Sequence, residues 1–98
     1  MPRILPRPDA DLSPRANDMA ALGRIVRNER AHAAVRIDDA ADLCGVTHDV
    51  VSKIENGRSV GLDKLFKVLD GLGLKMLLMS PSDADDALAL LSSIKASR

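Results

Sequence analysis

The stretch that decides the fold is Ala40-Ala41-Asp42-Leu43-Cys44-Gly45-Val46-Thr47-His48-Asp49-Val50-Val51-Ser52-Lys53-Ile54-Glu55-Asn56-Gly57. Asp38 and Asp39 stand just ahead of it, where the dipole of a starting helix favours negative charge. Ala40, Ala41, Leu43 and Cys44 supply that helix with an apolar side. Gly45 permits a sharp turn, because glycine tolerates positive φ. Thr47 has the position and chemistry of an N-cap, and His48 to Asn56 read as a second short helix with Val51 and Ile54 turned inward. Gly57 ends it. Ala41 is small where the two helices must cross, and Val46 and Val51 fill the angle between them. A pair hinged in this way is a helix-turn-helix unit, a shape whose second helix enters a DNA major groove N-terminus first.

Outward from this unit the patterning stays helical. On the N-terminal side, Asn17 or Asp18 caps a helix in which Leu22, Ile25, Val26 and Ala33 fall near helical spacing; it exposes Arg24 and Arg27 and fades near His32. Pro2, Pro6, Pro8 and Pro14 make residues 1–16 an expected flexible arm. On the C-terminal side, Leu62, Leu65, Phe66 and Leu69 recur at i, i+3, i+4 and i+7, and Gly71 and Gly73 stop that helix. Leu74-Lys75-Met76-Leu77-Leu78-Met79-Ser80 is short, apolar on both alternating faces and bounded by Gly73 and Pro81, the pattern of a strand. Ser82 with Asp85 resembles a capping box ahead of an amphipathic helix carrying Ala84, Ala87, Leu88, Leu91 and Ile94. The expected division is an arm at 1–16, a helix-turn-helix domain at 17–73, a dimerisation strand at 74–80, and a C-terminal helix and tail at 81–98. An unpaired strand would leave open edges, which a second chain would close.

Composition narrows the classes. A chain of 98 residues suits one domain. Its 46% hydrophobic content excludes wholesale disorder, and a single aromatic, Phe66, calls for an aliphatic core of packed helices. Fourteen basic and fourteen acidic residues cancel, which excludes nucleic-acid binding by bulk charge but not by one polarised face. One cysteine, Cys44, permits no intrachain disulfide and fits a reducing cytoplasm. No apolar run is long enough to span a bilayer, so no membrane partner is expected, and the opening residues lack the apolar stretch of a secretion signal. There is no nucleophile motif and no glycine-rich phosphate loop; Cys44 with two distant histidines gives no metal-ligand spacing. No catalytic residue, cofactor or metal is expected. Asp83, Asp85 and Asp86 read as helix-stabilising, and Met76 and Met79 as packing residues.

Gly45-Val46-Thr47 followed by Val51-Ser52-Lys53-Ile54-Glu55-Asn56-Gly57 resembles the Xre/Cro-type phage-repressor helix-turn-helix family, over about residues 20 to 73. The helix Leu62 to Leu72 followed by Gly-Leu-Lys-Met-Leu-Leu is most similar to HipB-type antitoxins. The resemblance implies a mainly α, lambda-repressor-like bundle of about five helices, with a short C-terminal dimerising strand and a final helix. It implies that His48, Asp49, Val50 and Lys53 read base edges, Val50 through a thymine methyl. It implies phosphate contacts from Arg36, Thr47, Ser52, Asn56 and Arg58, and a structural ion pair between Arg30 and Glu55. A dimer would pair Leu74, Met76, Leu77, Leu78 and Met79. The implied partners are double-stranded operator DNA, a second copy of the chain and a HipA-like kinase toxin encoded beside it.

Two features depart from the family pattern. Arg36 and Ile37 stand where many members have Ser or Thr and then a phosphate-clamping Gln, and Asp49 puts an anion near the groove floor, where it can accept from a cytosine amine. Two other readings share the same fold: a solitary Xre-family repressor without a toxin, and a protein-interaction adaptor, which neutral charge and Asp49 favour.

Overall fold

The computed structural model describes residues 5–97; residues 1–4 of the expected arm and residue 98 of the expected tail lie outside them. Five helices follow in order: α1 (Met19–His32), α2 (Ile37–Cys44), α3 (His48–Glu55), α4 (Leu62–Gly71) and α5 (Pro81–Ala96). Asp18 caps α1 by accepting from the Ala21 amide, and Thr47 caps α3 by accepting from Val50. The cap of α5 is Ser80, which accepts from Asp83, rather than Ser82. Pro81 decides between the two serines: its missing N–H and fixed φ suit the first helical position, so the helix starts there.

The first four helices end alike. In each, the amide just past the end reaches back five residues: Val35 to the Arg30 carbonyl, Val46 to Ala41, Arg58 to Lys53 and Leu74 to Leu69. This closure requires a left-handed residue immediately before that amide. Gly45, Gly57 and Gly73 fill the role at φ near 70–75°, whereas α1 uses Ala34 at φ 54°.

Val26, Ala41, Cys44, Val51, Ile54, Leu65, Val68 and Leu69 form the core, with α1 packed on α3, and α2 on both α3 and α4. Two glycines set the close approaches. A Cβ on Gly23 would stand 2.2 Å from the Ile54 carbonyl oxygen, so α1 lies directly against α3. A Cβ on Gly71 would stand 2.5 Å from Cys44 Sγ, so α2 lies directly against α4. The second contact fixes which side of α4 turns inward: Leu65, Val68 and Leu69 are buried, while Leu62 and Phe66 of the expected stripe are exposed. On α2, Leu43 likewise faces out, and Ala40, Ala41 and Cys44 form the buried side, with Ile37 partly buried beside them. Burial, reinforced by the Asp70 carboxylate, pushes the Cys44 thiol up.

The expected strand at 74–80 is absent; no strand forms among the described residues. A strand is defined by its ladder, and no element of the single chain supplies a partner. Leu74 packs on the core of its own chain, whereas Met76, Leu77, Leu78 and Met79 are exposed, Leu78 at 90%.

The chain ahead of α1 is tied down at two points. Asn28 on α1 exchanges hydrogen bonds with the Asp9 backbone, accepting at 2.6 Å and donating at 2.9 Å. Arg15 pairs with Asp85 on α5. Leu12 and Pro14 line a shallow groove with Leu88 and Leu91 of α5, and no residue of α5 is fully buried. No described helix is long and apolar enough to cross a membrane.

Candidate nucleic-acid interface

The geometry of α3 follows from its attachment. Val51 and Ile54 are completely buried, which leaves the opposite side and the first turn facing outward. His48, Asp49 and Lys53 are exposed there together. Val50 is half-buried and packs against the core, so only part of its side chain remains on the surface. Thr47 is exposed, its hydroxyl 3.3 Å from the Val50 amide that it caps.

The far end of α3 is held by charge. Glu55 receives two hydrogen bonds from Arg30 of α1, at 2.7 and 2.8 Å, and a third nitrogen–oxygen contact at 3.0 Å ties the same guanidinium to the Val35 carbonyl. Both side chains are more than nine-tenths buried. Such a pair compensates its own desolvation only when geometry is good and the remaining donors are satisfied; here the fork is bidentate and the extra donor reaches a carbonyl. The result is a fixed orientation of α3 relative to α1 and to the loop that leads into α2.

The remaining site candidates lie around this head. Arg36 is the exposed N-cap of α2 and makes no capping bond through its side chain. Ile37 beside it is half-buried against the core, so the position that holds a polar clamp in the resembled family serves packing here. Ser52 is half-buried, and Asn56 folds back to donate to the Ser52 carbonyl at 2.8 Å. Arg58 is exposed just beyond the α3 stop.

Two contacts were not visible in the reading of single residues. Asp38 of α2 meets Nδ1 of His48, and Asp49 lies 3.2 Å from Lys53, one turn along α3. The second has a signal in sequence, the i, i+4 spacing of opposite charges. The first has none, because it depends on how α2 crosses α3. Among the described residues no cluster of three or more His, Cys, Asp or Glu stands ready for a metal ion.

Two short helices hinged at a left-handed glycine, the second capped and turned outward at its N-terminus, define a helix-turn-helix module. A family model described as a helix-turn-helix domain matches residues 21–75, more than half of the chain, and the chain belongs to that family. Its structure is similar to a solved chain described as "MDT Protein", to a chain of the "Structure of HipA-HipB-O2-O3 complex", and to a chain of a HipB variant–O2 20mer complex. Each has a TM-score of 0.63 and 22% sequence identity, with 68% of this chain covered. The cover of the solved chains is 96%, 96% and 94% in that order. At this identity the likeness is one of fold. A comparison with curated protein sequences returns no match.

Proposed function

We propose that this chain is a sequence-specific, DNA-binding transcriptional regulator, a cytoplasmic homodimer of the HipB-like antitoxin type that represses an operon encoding itself and a HipA-like kinase toxin. The observation that carries the reading is the outward side of α3: His48 and Asp49 in its first turn and Lys53 one turn further are exposed on a helix whose other side is locked into the core. In this role His48, Asp49, Lys53 and the exposed part of Val50 meet base edges in the major groove. Arg36, Thr47, Ser52, Asn56 and Arg58 meet the sugar-phosphate backbone, which fixes register. One module touches too few bases for discrimination, so two copies act on half-sites about one helical turn apart. Residues 74–80 supply the join: the exposed Met76, Leu77, Leu78 and Met79 are covered when two such segments pair across a two-fold axis.

The test is fluorescence anisotropy with duplex DNA from immediately upstream of the gene, over a range of salt. Lys53→Glu and Arg58→Glu are each expected to weaken binding by about tenfold or more, as loss of one contact worth about 1–3 kcal/mol implies. Affinity unchanged by both substitutions sinks this placement of the interface. An adaptor, by contrast, has no duplex affinity even at low salt. Leu77→Asp is expected to give monomers by light scattering, and a persistent dimer removes 74–80 from the interface. Co-purification of a kinase-like protein from native lysate separates the antitoxin from a solitary repressor.

A further inference from the structure

The outward residues of α3 are engaged before any DNA arrives. Asp49 Oδ2 lies 3.2 Å from Lys53 Nζ, and Asp38, in the first turn of α2, meets the His48 ring. Both contacts are at the surface: side-chain exposure is 46% and 73% for Lys53 and Asp49, and 49% and 54% for His48 and Asp38. Exposed pairs of this kind add little to stability. Neither is needed to start α3, which Thr47 caps, or to hold α2 against it, which Val51 and the partly buried Val46 do. Their consequence lies in what the reading side chains are able to touch.

Generic DNA affinity comes from cations that neutralise phosphates and release counterions. A lysine beside its own carboxylate gives up part of its attraction for phosphate, because the exposed pair must open and the carboxylate itself repels the backbone. A matched base pair changes the balance. A G·C pair sets guanine acceptors beside a cytosine amine donor in the major groove. The Lys53–Asp49 pair is the complement of that edge, a donor beside an acceptor, so both partners are replaced together. An A·T pair offers a different order, and a phosphate offers nothing to Asp49.

Building on the DNA-binding reading above, we propose that Asp49 and Asp38 sharpen the discrimination of this protein: they engage Lys53 and His48 in the free state and lower generic affinity, and the Asp49–Lys53 pair recovers that loss at a half-site whose G·C edge receives both partners. Asp38 thereby joins the functional residues. Asp49 is then a reader that acts jointly with Lys53 rather than a tolerated anion.

The experiment titrates wild type, Asp49→Asn, Asp38→Asn and the charge-matched control Asp86→Asn on α5 against two duplexes. One is the upstream DNA; the other is the same bases shuffled, each from about 50 to 200 mM salt. Asp49→Asn is expected to bind the shuffled duplex about three- to tenfold tighter, with a logarithmic salt slope steeper by about 0.9, one additional phosphate neutralised. Its gain on the upstream duplex is smaller, so the ratio of the two affinities falls. Asp38→Asn lowers the ratio in the same direction, and Asp86→Asn leaves it unchanged. Equal tightening on both duplexes, or a ratio no different from that of the control, overturns the proposal. Failure of wild type to bind either duplex at low salt sinks the DNA-binding reading itself, and the gating with it.

Discussion

The four-helix bundle and the flank formed by the arm and α5 use the same chemistry in opposite settings. Each has an arginine–carboxylate pair: Arg30 with Glu55 inside the bundle, and Arg15 with Asp85 at the flank. Each has an isoleucine on a helix: Ile54 is completely buried, and Ile94 is 45% exposed. The difference teaches that a contact's weight comes from the water it excludes. Arg30 and Glu55 have given up hydration and depend on one another, whereas Arg15 and Asp85 remain solvated and lose little when parted.

The contrast can be broken by matched substitutions. Arg30→Ala strands Glu55 in the core and is expected to cost about 3–5 kcal/mol in urea unfolding followed by circular dichroism. Arg15→Ala is expected to cost less than about 1 kcal/mol. Similar costs at the two sites would mean that the flank is as dry as the bundle. Ile54→Ala is expected to lose about 2–5 kcal/mol through the cavity left behind, against about 0.5 kcal/mol or less for Ile94→Ala. A large cost at Ile94 that grows with protein concentration would place α5 in a contact between copies. The smallest effect sharpens the comparison within the bundle. Ala34 carries the left-handed turn that glycine carries at the other three helix ends. Ala34→Gly relieves that backbone and is expected to raise stability by roughly 0.5–1 kcal/mol, net of the entropy glycine adds to the unfolded chain. A loss on making this glycine would show that the turn is unstrained.

The bundle was the legible part of the sequence, because its signals are local. Gly45 as hinge, Thr47 as cap and Gly57 as stop each act within a few residues, and each stands at its expected place. What escaped depends on distant partners. The apolar alternation at 74–80 reads as a strand, yet a ladder needs a second strand that this chain alone does not provide. Leu62 and Phe66 have helical spacing as good as that of the residues buried beside them; the close contact at Gly71 chose between the two faces. Gly23 gave no signal at all, being a glycine in mid-helix whose purpose appears only when α3 lies against it. At the candidate interface, the outward side of α3 followed from the inward placement of Val51 and Ile54. The contact of Asp38 with His48 spans two helices and was beyond any spacing rule.

The anchoring of α3 through Val51, Ile54 and Glu55 has an evolutionary consequence. The buried attachments of this helix sit at these three positions, so the exposed ones at 48, 49 and 53 are free to vary on a fixed block. Replacing such surface side chains shifts stability by only about half a kcal/mol. If these positions read DNA as proposed, a lineage carrying this scaffold can acquire a new target sequence in a few substitutions, without first repairing its fold.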